Sequence, residues 1–171
     1  MNDLTLYKTG DTVLHPTAGV CTVKEIKSEN FAGLGKKDFY VLAPVYDSRQ
    51  VIHSPVDSEK ITLKKVLEKD EIISLIRSVD VNKSLWVDGD AARKDAFKKV
   101  LKGGDRHEII NLIITICEKQ KSLEKIGKKL HLADERVLGE AQKIIHQEFA
   151  YALNIETSKI SQFIMKELEL C

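Results

Sequence analysis

Hydrophobic and polar positions follow one rhythm in the first part of the chain and another in the rest. Up to about residue 67, β-branched and aromatic residues gather in five short stretches: "DTVLH" (11–15), "GVCTVKEI" (19–26), "DFYVLAPV" (38–45), "QVIHSPV" (50–56) and "KITLKKV" (60–66). The turn-forming segments "PTAG", "FAGLGKK" and "YDSR" lie between them, which is the punctuation expected of strands. All three prolines, Pro16, Pro44 and Pro55, fall here. Five such strands enclose little interior, and the compact solution they predict is a small SH3-like or Tudor-like β-barrel.

From Glu68 the apolar spacing becomes helical and proline disappears. "EKDEIISLIRSV" puts Ile72, Ile73, Leu75 and Ile76 on one side behind an acidic first turn that suits the helix dipole. "GDAARKDAFKKVLKGG" sets Ala92, Ala96, Phe97, Val100 and Leu101 at helical spacing and ends at Gly103-Gly104. "DRHEIINLIITICEKQKSLEKI" begins with Asp105 and Glu108, the spacing of a capping box. Its apolar residues run nearly all round between Ile109 and Cys117, the mark of a buried central helix. Two more helices are expected, one in "LADERVLGEAQKIIHQEFAYALN" from near Asp134 and one in "ETSKISQFIMKELEL" after Glu156. The reading is therefore β then α in two domains: a barrel over 1–67, then an all-helical domain of about five helices over 68–171.

Composition narrows the function classes. A hydrophobic share of 43% with 31% charged residues fits an ordinary folded soluble protein, and the "IINLIITIC" run is far too short to span a membrane. "MNDLTLYKTGD" lacks the layout of a signal peptide. Cys21, Cys117 and Cys171 are too scattered for a disulfide framework or a zinc site, so a reducing cytoplasm is expected. The five histidines form no metal-binding pair, no GxSxG occurs, and no cysteine has a nucleophile's neighbours. "NFAGLGKK" resembles a phosphate loop only in part. Asn30 replaces the first glycine and no Ser or Thr follows Lys36, so a hairpin loop is the plainer reading. No catalytic residue, cofactor or metal is expected, and a binding role is favoured over catalysis.

The net charge of +1 is low for a free DNA binder, because phosphate neutralisation dominates the affinity of such proteins. Neither part is a strong polyelectrolyte: nine basic and eight acidic residues lie up to Leu67, and eighteen of each beyond it. Locally the balance differs. Arg93, Lys94, Lys98, Lys99, Lys102 and Arg106 face only Asp95 and Asp105, and five lysines accompany two glutamates between Glu118 and His131. Lys94, Lys98 and Lys102 share a helix face and could each meet a phosphate, although a solvated face is the usual fate of such a run. The run follows directly on "VNKSLWVDGDAARK" (81–94), which contains the only tryptophan. Trp86 either plugs a core with Leu85 and Val87 or is held out as an apolar wedge of the kind that unstacks bases.

Four pieces in order resemble the CarD/CdnL family of bacterial RNA polymerase-binding regulators, whose N-terminal module is shared with transcription-repair coupling factors. They are "GDTVLHPTAGVCTVKEI" (10–26), "DFYVLAP" (38–44), "VIHSPVD" (51–57) and Trp86 ahead of "FKKVLKGGD" (97–105). The resemblance covers nearly the whole chain, and the order is more specific than any one piece. It implies that the barrel, over 1–67, docks on the polymerase β subunit by adding a strand to a sheet edge. Glu29, Val51, Ile52 and His53 would lie on the polymerase side, and Glu29 and His53 fall where some relatives carry basic contacts. The family's barrel often has "YPxHG" where this chain has His15-Pro16-Thr17-Ala18-Gly19. The helical domain would lie on promoter DNA at the upstream edge of the transcription bubble. There Trp86 would wedge into the minor groove while Arg93 and Lys94 held the backbone; Lys98 and Lys102 join the expected DNA-binding set through their helical spacing with Lys94. Open-complex stability would be the quantity regulated. A non-catalytic protein–protein adaptor and a ribosome- or RNA-associated SH3-like protein are the alternatives.

Overall fold

A computed structural model describes residues 6–33, 35–58 and 62–169. The chain divides between Val66 and Leu67 into two compact units.

The first unit is a five-stranded antiparallel sheet formed by β1 (Thr12–His15), β2 (Gly19–Phe31), β3 (Gly35–Pro44), β4 (Ile52–Pro55) and β5 (Lys64–Lys65), in the order β4-β3-β2-β1-β5. Val13, Cys21, Val23, Tyr40 and Leu42 form its core; the pairs on β2 and β3 are two residues apart and so face the same side. Tyr7 covers this core edge-on to Tyr40, with centroids 5.8 Å apart, and its hydroxyl donates to the Leu63 carbonyl at 3.1 Å. Beyond the core, β2 and β3 continue as an exposed hairpin to the Phe31–Gly35 pair, past a register shift at Val23/Glu25. Gly19, with φ +75°, supplies the left-handed turn residue between β1 and β2.

The expected closed barrel is not formed. Among the described residues β4 and β5 are the two edges of an open sheet, and four-residue and two-residue strands are too short to wrap round and pair. Lys60 and Ile61, expected in the fifth strand, and Leu34 of the hairpin loop lie outside the described residues.

The second unit contains α1 (Lys69–Arg77), α2 (Asp90–Gly103), α3 (Arg106–Glu124), α4 (Leu132–Leu153) and α5 (Ile160–Glu167), with a 3-10 turn at Thr157–Lys159 leading into α5. Its core joins Ile72 and Ile76 of α1, Phe97 of α2, Ile109 to Ile116 of α3, Ile145 and Phe149 of α4, and Ile160 and Ile164 of α5. Asp105 caps α3 by accepting from the His107 and Glu108 amides at 2.9 and 3.3 Å. A side chain that returns to the cap's own N–H is found at α1, where Glu71 accepts from Glu68 N at 3.1 Å. The end of the expected last helix, Leu170, and Cys171 lie outside the described residues.

Glu148 on α4 is fully buried. It holds Arg106 through two bonds of 2.6 Å and accepts the Leu67 amide at 3.1 Å, which fixes the point where this unit begins. Among the described residues no helix is long and apolar enough to cross a membrane.

Candidate nucleic-acid interface and docking edge

In the helical unit, the segment between α1 and α2 carries Trp86 as a half-buried indole, packed on the core on one side and partly open to solvent on the other. Leu85 and Trp86 pack against the helical core, and the indole meets the buried Phe97 ring edge-on at 6.0 Å. Its backbone is pinned on both sides. Leu85 N–H donates to Thr115 Oγ1 of α3 at 3.1 Å, and Trp86 N–H donates to Ser84 Oγ at 3.2 Å. The Val87 carbonyl accepts from Arg93 Nη1 at 3.2 Å. Gly89, with φ +91°, makes the turn into α2 that any L side chain would strain.

Arg93 is not where a phosphate could reach it. It is 5% exposed, and its Nε and Nη2 donate to the two oxygens of Asp134, itself 4% exposed, both at 2.9 Å. Nη2 also donates to Asp90 Oδ1 at 2.8 Å. The expectation that Arg93 holds the DNA backbone is therefore corrected: its planar fork is committed to a buried carboxylate, a pairing that suits arginine better than lysine. The hydrogen bonds that Arg93 donates to Asp134 raise its pKa above the ordinary arginine value, outweighing burial. The guanidinium carbon lies 4.4 Å from the centre of the Trp86 ring, so the ring rests on a fixed cation. Asp90 in turn lies 3.6 Å from His131 Nδ1, and its carboxyl pKa is lowered by the Arg93 hydrogen bond first and His131 second. Arg106, the other arginine of the basic run, is held by Glu148.

Lys94, Lys98 and Lys102 behave as their spacing suggests. They are exposed on successive turns of α2, with Lys99 beside them, and make no ion pair among the described residues. A further cation arrives from elsewhere in the chain. Lys119 on α3 places Nζ 5.0 Å from the Trp86 ring centre. Its separation from Trp86 in the sequence hides it from any local pattern, as it hides Asp134.

In the sheet unit the expected docking residues divide. Val51, 63% exposed, leads into β4, where Ile52 is half-buried and His53 exposed. Glu29 lies on the exposed hairpin, opposite Lys37, with β3 between its strand and β4. The sheet thus brings Val51, Ile52 and His53 together at one edge and leaves Glu29 apart from them. The outer side of β4 has a definite polarity. Val56 N–H donates to the Asp38 carbonyl at 3.0 Å, and the register pairs Ser54 with Tyr40 and His53 with Val41. Alternation along an antiparallel ladder then turns the backbone groups of Ser54 inward and those of His53 and Pro55 outward. Pro55, which has no N–H, sits where an edge strand tolerates it.

No curated protein matches the chain. It is the sheet unit, over residues 7–67, that matches the family of the CarD-like/TRCF RID domain.

Proposed function

We propose that the chain is a non-catalytic bacterial RNA polymerase accessory factor of the cytoplasm, docked on the polymerase β subunit by its sheet unit and contacting promoter DNA through its helical unit. The domain matched by residues 7–67 interacts with RNA polymerase in the proteins that carry it. Strand addition along β4 would use the outward backbone groups of His53, with Val51 and Ile52 beside them, and it draws affinity from the main chain rather than from particular side chains. The helical unit would present Trp86 and the lysines of α2 to the upstream edge of the transcription bubble. The observation that carries this reading is the partly buried Trp86, pinned on both sides and flanked by cations, in a chain that carries that domain.

Recruitment accounts for the near-neutral charge. Tethering to the polymerase raises the effective DNA concentration to about millimolar, so weak contacts suffice. An aromatic stacked on an exposed base contributes about 1–3 kcal/mol. About 1.4 kcal/mol shifts an equilibrium tenfold, provided the contact forms in the open complex and not in the closed one. The sequence offers no evident base-reading set of Arg, Asn or Gln on a recognition helix, so little sequence specificity is expected.

A pull-down with core polymerase, followed by open-complex lifetimes with the parent protein and Trp86→Ala, tests the reading. Polymerase binding by both, with the lifetime effect lost in Trp86→Ala, supports it. Equal lifetime effects would instead favour a protein–protein adaptor, and co-sedimentation with ribosomes in place of polymerase would favour an RNA-associated role.

A further inference from the structure

Two cations meet the indole of Trp86, and the fold treats them differently. Arg93 stacks on the ring at 4.4 Å with Nε, Nη1 and Nη2 all donating within the protein, to Asp134, Val87 and Asp90. To reach a phosphate it would have to abandon a buried carboxylate, and a single phosphate contact does not offset an unpaired buried charge. Lys119 lies 5.0 Å from the same ring, is only partly buried, and makes no ion pair among the described residues. It sits one helical turn beyond Thr115, whose hydroxyl holds Leu85, so α3 fixes both the wedge segment and the free ammonium beside it.

We infer that Arg93 acts as a positioning residue that presets the Trp86 indole, and that Lys119 is the cation that meets the nucleic-acid phosphate beside it. The inference rests on the proposed function and adds the division of labour within the site. An indole already ordered before DNA arrives avoids the conformational cost of being ordered on binding, and this makes a lone aromatic effective. A lysine with no ion pair among the described residues keeps its three donors for a phosphate oxygen and can release a counterion on binding.

Because Trp86 is the only tryptophan in the chain, its fluorescence reports this site alone. In the unmodified full-length protein, time-resolved anisotropy is expected to show the indole tumbling with its domain, with no resolvable fast local motion. Prominent fast motion would overturn the preset indole whatever any variant does. Arg93→Lys keeps the charge but loses the two-pronged geometry. It is expected to add fast indole motion, raise acrylamide quenching and lose the effect on open-complex lifetime. A rigid indole with the full lifetime effect in Arg93→Lys would overturn the positioning role. Lys119→Gln is expected to leave the anisotropy unchanged. It should also reduce the slope of log affinity against log salt by about 0.7–0.9 for the polymerase-bound protein on promoter DNA, and an unchanged slope would overturn the phosphate role. If Trp86→Ala leaves open-complex lifetime unaltered, the proposed function fails, while the anisotropy still decides whether Arg93 orders the ring.

Discussion

Arg93 and Asp134, 41 positions apart, face each other through two parallel hydrogen bonds of 2.9 Å in a setting closed to solvent. The pair joins the first turn of α2 to the first turn of α4, and the Val87 carbonyl bound by Arg93 ties the segment that carries Trp86 to both.

Removing either partner leaves the other charged and buried. Arg93→Ala and Asp134→Ala are each expected to lower the stability of the helical unit by about 3–5 kcal/mol. The double substitution should cost clearly less than their sum, because the second removal relieves the unpaired charge left by the first. Urea unfolding of the two single variants and the double variant measures this. Strict additivity would mean that the two side chains do not support each other.

The outward backbone groups of His53 make a pointed substitution available. His53→Pro removes an amide that faces away from β3, so the ladder through Ser54 is retained and the sheet unit stays folded. Polymerase binding is expected to weaken by about tenfold or more, since one main-chain bond contributes about 0.5–1.5 kcal/mol and the proline ring blocks the incoming strand. Binding equal to the parent protein in a surface-immobilised polymerase assay would show that docking uses another edge.

Lys94, Lys98 and Lys102 are exposed and unpaired, so changing all three to Gln should alter stability by no more than about 0.5 kcal/mol. The same variant should lose salt dependence in its DNA contact, by about 0.9 in slope for each phosphate released. The parent protein alone should bind duplex DNA only weakly at physiological salt. Nanomolar binding without polymerase would contradict recruitment.

His15 Nδ1 accepts from the amides of Thr17 and Ala18, both at 3.1 Å, so that nitrogen is unprotonated in the folded turn. Burial lowers the pKa of His15, as it does that of His146 in the helical unit. The unfolded chain therefore takes up these protons first. Stability should be full above the unfolded histidine pKa of about 6.5 and should fall as the pH drops from there towards the folded values. His15→Asn, whose side-chain oxygen can replace Nδ1 as acceptor, is expected to flatten this dependence for the sheet unit. Denaturant unfolding at a series of pH values, with and without the substitution, provides the measurement.

The sequence by itself determined the change from strands to helices near residue 67, the five strand-forming stretches, the helices, the Asp105 cap and the exposed lysine face of α2. Periodicity, turn residues and caps arise from neighbours a few positions away, so they are legible in a linear chain. Only the tertiary structure decided that the sheet stays open, because closure depends on whether its first and last edges can meet in space. It also decided the fate of the basic run, where counting charges cannot separate an arginine bound to a carboxylate 41 residues away from a lysine facing water. Along the linear chain Asp134 is simply an acid near the start of an expected helix, and Lys119 is one of five lysines between Glu118 and His131. Packing α2, α3 and α4 together turned the first into a buried anchor and set the second beside Trp86, since an ion pair or a stacked ring depends on proximity that only the folded chain creates.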